Sequence, residues 1–279
     1  MKKLITLLFT FVLGLSLFGC GKNENTIYVA ASELPHAKIL NEVVKDVLKE
    51  KGYDLKVTVL DWTIQNDAVA NDEYDANYFQ HVPYLNTYEG SVELAAAVKV
   101  HYEKLCAYAK DINHKTVVNG DKIVMVDDIS NAERALNLLV EQGIITIKES
   151  AYVNGVFTNF EASNPLNSVE FNENYKDCTL TCIPESTLCQ SLNDYDFGII
   201  PGNTALTGLD KLAERIAFGE ANNEQLIDEK ANIIAVKKEN LDSPKTKALV
   251  EAFADPRVKA YIESTFGESV LYHYVDLTK

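Results

Sequence analysis

Thr26-Ile27-Tyr28-Val29-Ala30-Ala31, a stretch carrying Ile39, Leu40, Val43, Val44, Val47 and Leu48, and then Asp54-Leu55-Lys56-Val57-Thr58-Val59-Leu60 together decide the fold. The first segment is short and β-rich and reads as a buried strand. Glu33-Leu34-Pro35-His36 turns the chain into a helix, whose apolar residues recur at helical spacing. Gly52 closes it. The third segment alternates and reads as a second strand. Strand, helix and strand in this order are the βαβ unit of a parallel sheet.

The same grammar continues outward. Asn66 to Asn71 reads as a helix, Tyr74 to Phe79 as a short strand with its loop, and Pro83 to Tyr88 as a helical continuation. A second βα unit follows, with a strand at Lys122–Val126 and a helix from Ser130 to Gln142 closed by Gly143. Ser130 and Glu133 match the S-x-x-E capping box, which predicts the helix start and puts Arg134 in its first turn. Asp196–Ile200 reads as a strand ending in the turn Pro201-Gly202-Asn203, and Ala231–Val236 as another. Helices at 244–254 and 256–264 close the chain. No internal repeat or low-complexity tract is present.

Two blocks of alternating strands and helices predict an α/β protein of two lobes with a ligand cleft between them. Ligands in such sheets bind beyond the carboxyl ends of strands and between domains. Trp62, Tyr78, His81, Arg134, Asn203 and Asn232 all fall near those ends.

The N-terminus predicts the compartment. Lys2 and Lys3 precede an apolar run from Leu4 to Gly19, which ends at Cys20. A charged start and apolar middle make a secretory signal. The run is shorter than the roughly 20 residues that span a bilayer. A cysteine directly after the cut predicts a bacterial lipoprotein signal at 1–19, lipid on Cys20, and a polar tether at 20–25. An ordinary signal with an incidental cysteine is the alternative. The expected location is the extracytoplasmic face of the cell membrane, held by lipid.

Hydrophobic residues make up 47% and charged residues 24%, an ordinary globular composition. The net charge of −15 argues against nucleic acid as a partner, because nothing neutralises phosphates. Beyond Cys20 the cysteines are Cys106, Cys178, Cys182 and Cys189. Outside the cytoplasm they could be free buried thiols or form disulfides. The spacing of the last three matches no common zinc pattern.

Asp75-Ala76-Asn77-Tyr78-Phe79-Gln80-His81-Val82-Pro83-Tyr84-Leu85 resembles the NLPA lipoprotein family, the methionine-binding components of bacterial ABC importers. Ala31–Ala37, Val100-His101-Tyr102-Glu103, Asn131–Leu136, Gly202-Asn203 and Ala231–Val236 resemble further family segments in the same order. The resemblance implies a two-lobed, periplasmic-binding-protein-like fold of type II character. It places lobe one at 26–110 plus 232–279 and lobe two at 111–231, with crossings near Tyr108–Asp111 and Ala231–Asn232. It implies that Arg134 holds a ligand carboxylate, with Asn131 nearby, and that Asn203 and Asn232 bond an amino acid head group. Tyr78, His81, His101 and Trp62 would shape the side-chain pocket. The chain departs from the family at Trp62-Thr63, where relatives carry an Asp-Tyr pair, and at Lys104-Leu105-Cys106, in place of a Pro-Met-Gly type of stretch. Pro201 and Thr204 replace a frequent asparagine and tyrosine.

The chemistry of these residue types is consistent with that assignment but has local alternatives. A guanidinium binds a carboxylate through two parallel hydrogen bonds, yet Arg134 could equally pair with Asp127 or Asp128. Asn203 could satisfy its own turn, and Asn232 could be a solvent-facing strand end. Phe79 and Tyr84 read as packing residues. A thioether packs well on aromatic rings, which suits Tyr78 and Trp62 to methionine.

The expected function is a substrate-binding protein without enzymatic activity, cofactor or metal. Its ligand would be L-methionine, the D form, a methionine dipeptide or another small amino acid. A separate ABC permease and ATPase would be its partners. The alternatives are zinc capture by His36, His81 and His101, or a secreted enzyme. No G-x-S-x-G elbow, H-E-x-x-H helix or phosphate-binding glycine loop appears, although a Cys–His pair stays open.

Overall fold

The computed structural model describes residues 24–221 and 223–279. The expected signal segment 1–19 and the lipidation site Cys20 lie outside the described residues. β1 (Thr26–Ala31) and β2 (Asp54–Val59) run parallel, with Thr26 opposite Asp54 and Ala31 opposite Val59. Two π-helical turns, Glu33–Ala37 and Leu40–Val44, run into α1 (Lys45–Glu50) and join these strands. Ile39, Leu40, Val44 and Leu48 are fully buried against the sheet. α2 (Trp62–Ala70) leads into β3 (Ala76–His81), parallel to β1, and then into the single turn α3 (Val82–Leu85).

β4 (Leu94–Glu103) and β5 (Cys106–Ala109) are separated only by Lys104-Leu105, yet they lie in different sheets. The passage between sheets is therefore earlier than the expected boundary at 110, because Cys106–Ala109 pairs with Phe197–Ile200. β6 (Lys122–Val126) and α4 (Ile129–Glu141) follow. Two small strand pairs come next, β7 (Ile145–Ile147) with β10 (Val169–Phe171), and β8 (Tyr152–Val153) with β9 (Val156–Phe157). The chain continues through β11 (Thr179–Ile183), α5 (Leu188–Ser191), β12 (Phe197–Ile200), α6 (Gly202–Gly208), α7 (Leu212–Arg215) and β13 (Ile216–Gly219). α8 (Glu224–Lys230) leads back to β14 (Asn232–Lys237), and α9 (Pro244–Phe253), α10 (Pro256–Phe266) and β15 (Val270–Asp276) finish the chain.

The first sheet has the order β15-β4-β14-β3-β1-β2 and the second β11-β6-β12-β5-β13. β11, β6 and β12 are mutually parallel. Each sheet has its own apolar core. Leu249, Phe253, Val258 and Ile262 of the C-terminal helices join that of the first sheet, and Leu136 and Leu139 of α4 that of the second. β4 and β15 of the first sheet, and β5, β11 and β13 of the second, have no counterpart among the strands expected from sequence. β4 is buried or half-buried along its whole length, and so shows no alternation to read.

Candidate functional site

The sheets face each other across a cleft with about 510 Å³ of atom-free space, part of it open to solvent. The parallel strands of the second sheet end here. Asp128 follows β6, Glu185 follows β11, and Pro201-Gly202-Asn203 follow β12. The first sheet contributes the end of β3, Glu103 at the end of β4, and Asn232 at the start of β14.

The end of β3 explains the polar motif that dominates the sequence. Its pairing with β14 shifts register between Ile233 and Ile234, opposite Gln80 and Tyr78. The bulge lets Asn77 and Gln80 both reach α2. There Asn66 Oδ1 accepts from Asn77 Nδ2 at 2.8 Å and from Gln80 Nε2 at 2.6 Å. This buried amide cluster holds Gln80 at the cleft. His81 caps α3, its Nδ1 accepting from the Tyr84 N–H at 3.2 Å, and its Nε2 lies 3.4 Å from Asn131 Oδ1. Burial, then Arg134 and Lys230, lower the His81 pKa to about 3, so it is neutral near pH 7. Trp62, Phe79 and Tyr84 form an aromatic wall, with Tyr84 in edge contact with Trp62 at 5.5 Å and Phe79 at 5.7 Å. Phe79 and Tyr84, expected as packing residues only, thus line the cleft, and Trp62 keeps an aromatic ring there.

Behind Asn232 lies a fully buried relay. His36 Nε2–H donates to Asn232 Oδ1 at 2.9 Å, which leaves the Asn232 amide NH₂ for the cleft. His101 Nε2–H donates to Glu103 Oε1 at 2.6 Å, and the Tyr78 hydroxyl donates to His101 Nδ1. Burial lowers the pKa of His36 to about 4 and of His101 to about 3. Glu103 also accepts the backbone N–H of Asn203, and burial raises its carboxyl. Gly202 permits that contact, because a Cβ there would sit 2.8 Å from Glu103 Cβ.

α4 is capped by Asp128, which accepts from Asn131 N at 3.0 Å, and not by the expected Ser130. Ser130 Oγ is buried with no partner. The start moves forward because Asp128 ends an extended segment, the geometry a cap requires. Arg134 therefore lies in the second turn. It pairs with neither Asp127 nor Asp128. Its Nε donates to Glu220 Oε1, its Nη2 donates to Glu220 Oε2 at 2.5 Å and to the Glu103 carbonyl at 2.6 Å, and its guanidinium lies 5.4 Å from the Tyr102 ring. Glu220 also accepts from the Tyr102 hydroxyl and the Leu105 N–H. Burial works against the Arg134 charge, and Glu220 more than offsets it, so the guanidinium pKa rises.

Of the eight expected site residues, Trp62, His81, Asn131, Arg134, Asn203 and Asn232 line the cleft. Tyr78 and His101 do not. They stand one layer behind, with no exposed surface. The zinc alternative needed His36, His81 and His101 to converge, but His81 turns away to α3. Among the described residues Glu103 takes its place beside His36 and His101, and the relay already occupies the facing donor atoms of that group. The acids Glu103, Asp128, Glu185 and Glu220 were not among the expected site residues; Glu185 and Glu220 meet partners distant in sequence, Thr204 and Arg134. Cys106, Cys178, Cys182 and Cys189 are free.

Two α/β sheets with a polar cleft between them define a periplasmic-binding-protein-like solute receptor. The chain belongs to the NlpA lipoprotein family, whose profile matches residues 27–273. It is similar to the methionine-binding lipoprotein MetQ of Bacillus subtilis, with 34% identity over 97% of this chain and 98% of the relative. A lipoprotein structure from Ruminococcus gnavus matches with a TM-score of 0.78 at 35% identity, covering 89% of this chain and 99% of that one. A nutrient-binding protein from Burkholderia cenocepacia bound to methionine matches with a TM-score of 0.77 at 28% identity, covering 88% and 99%.

Proposed function

We propose that this protein captures methionine or a close relative in the cleft and presents it to an ABC permease. The observation that carries this reading is the convergence of Arg134, Asn203 and Asn232, from separate segments, on one cavity that also has an aromatic wall. Glu220 and the Glu103 carbonyl take up Nε and Nη2 of Arg134, which leaves Nη1 as its edge for a ligand carboxylate. The Asn232 NH₂, oriented by His36, is a second donor for the same group. Trp62, Phe79 and Tyr84 suit a thioether. No step of bond making is involved, so closure of the lobes and ligand binding form one linked equilibrium.

Lobe one comprises the first sheet and the C-terminal helices, lobe two the second sheet. No described helix is long and apolar enough to cross a membrane, and attachment is proposed through lipid on Cys20, which the intact mass of the membrane-extracted protein would reveal. Calorimetry with L-methionine tests the function directly. Asn232→Ala should bind at least about tenfold more weakly, because the lost amide leaves a buried ligand group unpaired. Absence of binding by the wild-type protein, with a ligand other than an amino acid retained on purification, would refute the reading.

A further inference from the structure

We propose that Glu185 is the receptor for a primary ammonium group on the ligand. The inference rests on amino acid capture in the cleft and says which part of the ligand decides selection. Glu185 opens the single 3-10 turn Glu185–Thr187, just past the carboxyl end of β11, and its side chain lines the cleft while only 8% exposed. Its Oε1 accepts from the Thr204 hydroxyl, and the Asn203 side chain also bonds to it. Both partners are neutral. The charged groups that act on it are Asp128 and Glu103, both acids.

Asp128 has no cation among the described residues either, but the other cleft acids take more donors from the chain than Glu185 does. Asp128 spends its oxygens on the N–H and side chain of Asn131. Glu103 takes His101 and the backbone of Asn203. Glu185 has no cation among the described residues, in a setting where an isolated carboxylate is strongly disfavoured. A group aimed into a ligand cavity and lacking a charge partner in the chain is completed by the ligand. An ammonium answers with positive charge and three donors, and the adjacent acids favour it further. A carboxylate or a neutral amide at the same place would meet repulsion or leave the charge unmet.

The groups facing Glu185 are Asp128 before α4, Glu103 on β4, Tyr84 on α3 and Cys189 on α5. None supplies positive charge. Burial, reinforced by Asp128 and Glu103, raises the Glu185 pKa to about 7. In the empty cleft near neutral pH it is therefore part protonated. An arriving ammonium selects the carboxylate, and the displaced proton passes to solvent.

The ammonium has two sources of the same chemistry, the α-amino group of a free amino acid or the N-terminus of a dipeptide. L-Methionine, glycyl-L-methionine and N-acetyl-L-methionine, titrated into wild type and Glu185→Gln, separate them. Loss of a charged partner predicts a fall of about tenfold or more for the ligand whose ammonium Glu185 holds, and at most about a twofold change for the N-acetyl compound. A fall for methionine assigns the α-amino group, and a fall for the dipeptide alone assigns its N-terminus. Wild type should also release protons on binding, seen in two buffers of different ionisation enthalpy, and Glu185→Gln should not. Equal losses for the acetylated and free compounds, or no loss for any, would overturn the proposal while leaving amino acid capture intact. If wild type binds none of the three, capture of this class fails instead. The ligand retained on purification then decides: one without an ammonium overturns the Glu185 assignment too, and one with an ammonium supports it if Glu185→Gln no longer retains it.

Discussion

The two edges of the second sheet treat a buried glutamate in opposite ways. Glu220 follows edge strand β13 and is 6% exposed, while Glu185 follows edge strand β11 and is 8% exposed. Glu220 meets the guanidinium of Arg134 face to face, with a tyrosine hydroxyl and a backbone N–H completing its shell. Glu185 meets a hydroxyl, an amide and two other acids. Equal burial therefore does not imply equal roles. The β13 edge is electrostatically closed and holds Arg134 against Glu220 at the cleft. The β11 edge is electrostatically open toward the cleft.

The largest effect should come from opening the closed edge. Arg134→Ala leaves Glu220 buried without its cation, and breaking such a pair costs about 3–5 kcal/mol. Urea unfolding should show this as a large drop in midpoint, in addition to any loss of ligand. The variant thus tests folding and binding together, where an exposed Arg–Asp pair would have left folding nearly unchanged. A midpoint within experimental error of wild type would mean that Glu220 does not depend on Arg134, and the contrast between the edges would collapse.

A smaller effect, of opposite origin, is expected at the open edge. The fold holds the Glu185 carboxyl at about 7, above its ordinary value of 4.5. Its neutral form is the one the fold favours. The associated stability is fully present below about pH 4.5 and is lost as pH rises through 7, up to about 3 kcal/mol in all. Burial raises Asp128 and Glu103 in the same direction. The lowered pKa values of His36, His81 and His101 act the opposite way, costing stability as pH falls below about 6.5. The Glu185 share is therefore read as the difference between wild type and Glu185→Gln. Between pH 5 and pH 8 Glu185→Gln should lack the loss due to Glu185, so its stability relative to wild type should rise across that window. Identical pH slopes in both proteins would place Glu185 with the internally balanced groups.

The sequence made the scaffold legible wherever a local pattern reports a local structure. β1 and β6 match the strands expected at Thr26–Ala31 and Lys122–Val126 end to end, and Asp75–Leu85 brought the family resemblance. β4 escaped because burial on both faces erases alternation. The cap of α4 was misplaced because Ser130-x-x-Glu133 competes with Asp128-x-x-Asn131, and only the backbone geometry before the helix decides between them. The charge balance of the cleft was illegible for a different reason. Arg134 and Glu220 are 86 positions apart, and no spacing rule links them. Glu185 carries no local signal at all; its meaning comes from Thr204, Asn203, Asp128 and Glu103, which only the fold assembles.

Glu103 lies between the two edge cases, and the smallest predicted effect asks which one it resembles. It is an acid that lines the cleft, yet it is held from behind by His101, which Tyr78 orients in turn. Tyr78→Phe removes only the hydroxyl. His101 Nδ1 is then a buried acceptor without its donor, a loss typically worth about 1–2 kcal/mol of stability. Tyr78 does not line the cleft, and the Nε2–H contact to Glu103 needs no proton from the tyrosine. Affinity for L-methionine should therefore stay within about twofold of wild type, while the urea midpoint falls modestly. A tenfold loss of affinity would show that the relay sets the state of Glu103 or Asn232 in the cleft. Glu103 would then belong with Glu185 as an acid tuned for the ligand, rather than with Glu220 as one balanced by the chain.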